Sequence, residues 1–314
     1  MGGNAMTDSE RDGRAIDELL SDIFAYMDML RRAHRLDVTV HWLDHVLHTC
    51  ADRLLACNIH KNPFCVYLKT ETALWAHCIE RQDKVLARAQ TGEYCGMCWA
   101  GMTEWIYPVR DDDGRAVGFI CVSGYGAERA QAMERIDAVS RRFHLNRGEL
   151  VRLFDERLNH TLPDKAELSP LIRPLAHMFT LLIHKTARLE EAGGDATGSA
   201  LLFARVTHYL ARYYAAPVTL NTLAAQFNCS VSYLSRLFHR YARQNFRQYV
   251  NALRIRLAQT FLVTTQMSIQ EITYAVGFTD SNYFSTVFRR AAGCSPRQYR
   301  AEHTQDAPIL RELC

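Results

Sequence analysis

Apolar residues in the last third of the chain recur at helical spacing, and they do so twice. Leu220, Leu223, Ala224 and Phe227 form one stripe, and Leu234, Leu237 and Phe238 form the next. Some fifty residues on, Ile269, Ile272 and Val276 are followed by Phe284, Val287 and Phe288. Steps of three and four place such residues on one face of a helix. Between the stripes stand residues that stop and restart helices. Asn228 and then Ser230 do so in the first copy, Gly277 and then Thr279 or Asp280 in the second. Asn and Gly tolerate the left-handed conformation, and Ser, Thr and Asp cap a new helix. Each copy therefore predicts helix, tight turn, helix, over 219–240 and 268–290.

The two copies also match residue by residue. Ser232–Arg240 lies over Asn282–Arg290, and Phe246–Tyr249 over Pro296–Tyr299. Two copies are too few for a solenoid, whose repeats need several neighbours to bury their faces. With the stripes turned inward, Ser232, Ser235, Arg236 and His239 face outward. So do Ser281, Asn282, Ser285, Thr286 and Arg289. Short polar side chains in the first two turns are what a recognition helix offers to base edges in the major groove. Charge changes the picture in the same direction. Residues 201–300 hold twelve Arg, no Lys and two acidic residues, Glu271 and Asp280, a formal +10 in a chain whose total is +3. A basic module in an otherwise acidic chain is the footprint of phosphate binding. The expectation is that Ser232, Ser235, Arg236, Ser281, Asn282, Ser285 and Thr286 read bases of double-stranded DNA. Arg236 is the candidate for a bidentate guanine contact, and Arg240, Arg289 and Arg290 are candidates for phosphates.

Upstream the periodicity is mixed. Ile16, Leu19, Leu20, Ile23, Phe24, Met27 and Leu30 predict a helix over 14–36. Residues 37–42 alternate and are β-branched, hence a strand; 44–58 and 71–91 read as helices. Asp111-Asp-Asp-Gly114 between two β-rich runs, 105–110 and 116–122, reads as a hairpin. Helices follow over 127–143, 147–159 and 169–191. Residues 193–199 are small and polar, a linker, and 302–314 form a tail. No run of eighteen apolar residues exists, and the amino-terminal residues lack the order of a signal peptide. With ten cysteines and no secretion signal, reduced thiols and a cytoplasmic location are expected.

Residues 203–301 resemble the AraC-type DNA-binding domain. The resemblance rests on Leu223-Ala-Ala-Gln-Phe227, Ser230–Phe238, Leu253-Arg-Ile-Arg-Leu-Ala258, Ser268–Ile272, Val276–Arg290 and Ser295-Pro-Arg-Gln-Tyr-Arg300. It implies an all-α unit of seven helices with two helix-turn-helix subdomains joined by a long helix. Three positions depart from the pattern: Arg243 replaces a usual Gly, Thr273 a usual Ala, and Thr286 a longer polar or basic residue. Residues 60–125 resemble the PocR-type sensory domain through Pro63-Phe-Cys65, Cys78, Tyr94–Cys98, Ala100-Gly-Met102, Tyr107-Pro-Val109 and Gly114 to Ile120. That resemblance implies a PAS-like mixed sheet with helices that senses a small organic effector, within an α+β unit spanning 14–192. Trp99 stands where that family tends to have His, and Cys95 is an additional cysteine.

Candidate chemistry concentrates in this middle stretch. Cys65, Cys78, Cys95 and Cys98 could complete a thiolate tetrahedron for zinc or another thiophilic metal. They could equally be small buried hydrophobes, or a redox pair at Cys95 and Cys98. Covalent haem is not expected, because Trp99 follows Cys98 where a His is needed. His41, His45, His48, His60 and His77 are scattered and read as surface or core residues. Trp75, Trp99, Trp105 and Tyr107 are candidates for the walls of an effector pocket. Helix 169–191 has more apolar residues than one stripe needs, which suggests a homodimer contact or a seat for the sensor. The combined expectation is no enzyme but a transcription regulator, an activator acting with RNA polymerase. Its signal would pass through the 169–191 helix and the linker. The alternatives are a metal- or redox-responsive regulator and a thiolate alkyl acceptor, the last lacking its Pro-Cys-His-Arg motif.

Overall fold

The computed structural model describes residues 8–42, 47, 50–54, 57–69, 72–192, 198–265 and 267–303. The amino-terminal part is α+β. Helix α1 (Asp8–His34) leads into strand β1 (Asp37–Trp42). The short α2 (Ala51–Leu54), α3 (Pro63–Lys69) and α4 (Thr72–Ala89) follow, then strands β2 (Tyr94–Met97), β3 (Thr103–Arg110) and β4 (Ala116–Tyr125). Helices α5 (Arg129–Phe143), α6 (Arg147–Arg157) and α7 (Lys165–Ala192) complete this part. The four strands form one sheet in the order β1-β4-β3-β2. All three of its pairings are antiparallel, so the expected mixed sheet is corrected to an antiparallel one. Strand β2 is an element that local pattern did not predict. Of the helix expected over 44–58, only Ala51–Leu54 is helical among the described residues.

The pleat sends alternate side chains to opposite faces of the sheet. One face carries Val40, Trp105, Tyr107, Ile120 and Val122. It packs on Leu20, Ile23 and Phe24 of α1 and on Ile172, Leu175, Phe179 and Leu182 of α7. Much of the apolar surplus of α7 is thereby used within the chain, although Leu181 stays exposed. The other face carries Ile106, Phe119 and Cys121 under Leu86 and Ala89 of α4. A third cluster joins Phe64 of α3 to Ile136 of α5 and Phe154 of α6.

The carboxyl-terminal part holds seven helices among the described residues. They are α8 (Gly198–Arg212), α9 (Leu220–Gln226), α10 (Val231–Leu237), α11 (Phe246–Thr264), α12 (Ile269–Ala275), α13 (Ser281–Ala292) and α14 (Pro296–His303). Helix α8 begins at Gly198, inside the stretch expected as linker; 193–197 lie outside the described residues, as do 304–314 of the tail. Both helix-turn-helix copies share a single core, in which Leu223, Leu234 and Phe238 join Ile272, Phe284 and Phe288 across Leu253 and Phe261 of α11. Ile59, Val66 and Ile79 of the amino-terminal part enter that same core beside Val206 and Leu210 of α8.

Candidate nucleic-acid interface and effector cavity

Local chemistry sets each recognition helix. Thr219 caps α9 and Ser268 caps α12, each in a reciprocal capping box, with Thr222 and Glu271 respectively. The turns pass through left-handed residues, Asn228 at φ 49° and Gly277 at φ 87°. Gly277 is doubly required, since an added Cβ would come within 2.7 Å of the Ala215 Cα. Ser230 then accepts from the Tyr233 N–H at 3.2 Å, and Asp280 from the Tyr283 N–H at 2.5 Å. These caps satisfy donors that the first turn of a helix leaves open.

Of the expected base-reading residues, Ser232, Arg236, Asn282 and Thr286 are exposed, and Ser235, Ser281 and Ser285 are half-buried. Thr286 donates its hydroxyl to the Asn282 carbonyl at 2.9 Å, so that hydroxyl is already engaged within its own helix. The Arg236 guanidinium reaches across the Tyr233 ring, 6.0 Å from its centroid. Arg240, Arg289 and Arg290, the expected phosphate contacts, are exposed near the helix ends. The formal charge overstates what faces outward. Arg254 donates to the Tyr214 and Ala216 carbonyls at 2.8 and 3.0 Å, and Arg300 to the Leu262 carbonyl at 3.0 Å. Sequence reasoning did not single out Tyr283, whose hydroxyl accepts from Arg247 at 3.0 Å and Asn251 at 3.1 Å, so that α11 braces α13. The 19 residues of α11 give it a length of about 28 Å at the usual helical rise.

A cavity of about 320 Å³ lies between the second sheet face and α4. Trp99 lines it, with its ring edge-on to His77 at 4.8 Å between centroids. The assignment of Trp105 and Tyr107 to the pocket is corrected. Register puts both on the opposite face, where the Trp105 indole donates to the Pro163 carbonyl at 3.2 Å and the Tyr107 hydroxyl meets Ser169 at 3.4 Å. Trp75 falls in α4, but its side chain lies outside the described residues.

The four-cysteine metal set is corrected as well. Cys95 pairs across β2 and β3 with Trp105, whereas Cys65, Cys78 and Cys98 line the cavity on the other side of the sheet. An extended strand carries residues three apart roughly 10 Å along the chain, so Cys95 and Cys98 make no chelating turn. Burial and the nearby Glu104 carboxylate raise both thiols, Cys98 to about 12, which disfavours the thiolate a redox pair needs. A different group converges instead. One donor atom each from His60, Glu104 and Cys121 lies within 4.8 Å of the other two, the one such trio among the described residues. The Cys121 thiol donates to Glu104 at 3.2 Å, and Cys65 Sγ lies 3.8 Å from His60 Nδ1. Burial pushes the Glu104 carboxyl up to about 7 and the Cys121 thiol well above its ordinary value. His41 and His60 thus line the cavity, and His77 meets its wall residue Trp99 edge-on. His45 and His48 lie outside the described residues.

Helix α4 connects this cavity to the carboxyl-terminal part. Ile79 lines the cavity and also belongs to the core around Val206 and Leu210. The Ile79 carbonyl accepts from Arg212 of α8 at 3.1 Å, and the Trp42 indole donates to His208 Nδ1 at 3.3 Å.

A family model described as a helix-turn-helix domain matches residues 223–302. The HTH-type transcriptional regulator YijO of Escherichia coli K12 is 34% identical over 124 residues, 40% of this chain and 44% of that protein. The HTH-type transcriptional activator RhaS of Escherichia coli is 34% identical over 120 residues, 38% of this chain and 42% of that protein. The matched stretch thus spans less than half of these curated relatives. Among solved structures, the carboxyl-terminal domain of the response regulator AraT from Geobacillus stearothermophilus is 30% identical. It covers 34% of this chain and 89% of that one, with a TM-score of 0.32. No helix among the described residues is long and apolar enough to cross a membrane. Residues 223–302 are thus a helix-turn-helix domain similar to those of these transcriptional regulators.

Proposed function

We propose that this protein is a DNA-binding transcription regulator whose activity responds to a small molecule held in the amino-terminal cavity. The observation that carries the DNA-binding half is the pair of capped helices, α10 and α13, on one shared core with polar outward faces. Two such helices can enter successive major-groove segments of one duplex about one helical turn apart. Arg236 reads a guanine, with Ser232 and Ser235 beside it; Ser281, Asn282 and Ser285 read the second segment. Arg240, Arg289 and Arg290 hold phosphates and set register.

The responsive half rests on Ile79, which touches both the cavity and the α8 core. A molecule that shifts α4 changes the seat of α8, and so biases the DNA-binding part directly. That route replaces the expected one through α7, whose apolar residues pack on α1 and the sheet. Transcriptional relatives such as RhaS favour a regulator over the thiolate alkyl acceptor.

Selection from randomised duplexes with the full chain tests the reading. Arg236→Ala should relax preference at one base step, a loss of about 1–3 kcal/mol of discrimination. Arg290→Ala should weaken every sequence alike and lower the salt slope by about 1. Identical behaviour of the two variants would refute the division of roles. For the coupling, Ile79→Ala should leave binding to the selected site intact while abolishing any shift that a cavity ligand produces. A full ligand response in that variant would remove α4 from the route.

A further inference from the structure

The closed side of the cavity brings together three unlike donors that the regulator reading does not use. His60 comes from the segment before α3, Glu104 from β3 and Cys121 from β4, so three separate elements deliver a nitrogen, an oxygen and a sulfur. Their donor atoms lie within 4.8 Å of one another. Donors around a bound zinc-sized ion sit roughly 3–4 Å apart, given bonds of about 2.0–2.3 Å, so small side-chain movements close the trio on a cation. Glu104 is only 8% exposed. A carboxylate at such a position is costly unless a positive charge meets it. Arg81, Lys84, Arg88 and Arg135 line the same cavity, but the group bonded to Glu104 is the Cys121 thiol. Local geometry aims it there. The register between β3 and β4 shifts between Thr103 and Trp105, so that Ser123 and Gly124 of β4 together stand opposite Glu104, which pairs on its other side with Gly96 of β2. Irregularities of that kind commonly re-aim a side chain beside a functional site. Two further soft atoms stand next to the trio. Cys65 Sγ is 3.8 Å from His60 Nδ1 and 3.9 Å from the Met102 sulfur.

We infer that His60, Glu104 and Cys121 form a binding site for a borderline divalent cation of the zinc class, with its fourth position turned toward the cavity. One imidazole, one carboxylate and one thiolate suit zinc, and cobalt as its surrogate, better than magnesium or calcium, which take oxygen donors. Three protein ligands leave a coordination position for Cys65 or for an oxygen or sulfur atom of a molecule in the cavity. The site shares the cavity with the proposed function but does not depend on DNA recognition.

Cobalt titration of the full chain, stripped with chelator and kept reduced, tests the site. One Co²⁺ should bind per chain, with the visible bands of a tetrahedral ion and a thiolate-to-cobalt absorption. Cys121→Ser should lose the thiolate absorption. Glu104→Gln should weaken binding at least about 10-fold, as loss of a metal's supporting groups generally does. Cys95→Ser, on the opposite sheet face, should titrate like the unchanged chain. Absence of the thiolate absorption in the unchanged chain overturns the inference, and so does its persistence in Cys121→Ser. The unchanged chain also supplies a test that needs no variant: Co²⁺ should shield Cys121 from alkylation, located by peptide mass, and equal labelling with and without Co²⁺ overturns it. A chain that binds Co²⁺ there but selects no duplex refutes the proposed function alone; the reverse outcome refutes this site alone.

Discussion

The two helix-turn-helix copies begin alike and end differently. Both recognition helices start on a side-chain cap and bury aromatic residues at matching positions. Helix α10 then runs into a π-helical turn, Phe238–Ala242, and stops at Arg243 with φ 55°. Helix α13 runs for twelve residues and stops at Gly293 with φ 79°, whose N–H returns to the Arg289 carbonyl. The outer faces diverge too. The first presents the long Arg236 side chain; the second presents short polar groups and ties Tyr283 to α11. A shared inner pattern thus builds the same scaffold twice, and the outer residues are free to separate in role. π-turns often accompany functional sites, which is consistent with the proposed role of Arg236 in the first copy.

The largest test asks whether the copies are one folding unit. Phe238 and Phe284 are both fully buried and belong to one cluster through α11. Phe238→Ala and Phe284→Ala should each cost about 3–5 kcal/mol. In urea unfolding followed by circular dichroism, each should shift one shared transition of the carboxyl-terminal helices. Two separated transitions, each moved by only one variant, would mean that the copies are independent.

A middle-sized test uses the two helix ends. A non-glycine residue in the left-handed region carries about 1–2 kcal/mol of strain, and glycine's own entropy cost offsets part of any gain. Arg243→Gly should therefore stabilise by about 0.5–1 kcal/mol. Gly293→Ala meets nothing within 4 Å, so its expected loss of about 1–2 kcal/mol is conformational alone. The opposite signs should show as opposite shifts of the urea midpoint. Destabilisation by Arg243→Gly would mean that the Arg243 side chain holds the turn.

These contrasts also explain which parts were legible in the chain. Caps and stripes act within a few residues, so Ser230, Asp280, Phe238 and Phe284 could be placed before any tertiary structure was known. The hairpin at Asp111–Gly114 was readable for the same reason, and Gly114 does take φ 74°. The cavity was not. His60, Glu104 and Cys121 are apart in sequence, and only the sheet register together with the packing of the segment before α3 brings them together. The four cysteines looked like a set because spacing alone does not say which side of a strand each occupies. Pairing of Cys95 with Trp105 and of Gly96 with Glu104 decides it. Alternation within 103–110 carried a usable signal, since Glu104 shares a face with Ile106, but reading it required knowing that this face is covered. Helix α7 was open to two readings for a related reason: its packing on α1 and the sheet fits the seat on the sensor, while Leu181 of the same helix stays exposed.

The smallest effect is the most discriminating for the outer faces. Thr286 stands where longer polar side chains are usual, and its hydroxyl is already bonded to the Asn282 carbonyl at 2.9 Å. A Ser or Thr bonded back to its own helix turn gains little from that bond. Thr286→Val keeps the shape, removes the hydroxyl and leaves the methyl group in place. Stability should stay within about 0.5 kcal/mol of the unchanged chain, as for most exposed substitutions. Base preference in the second groove segment should stay the same, because the group that remains is the one available for a thymine methyl contact. If Thr286→Val instead relaxed preference at one base pair, the hydroxyl would have to leave its helix on binding. The second copy would then read bases with the same directness as we propose for Arg236 in the first.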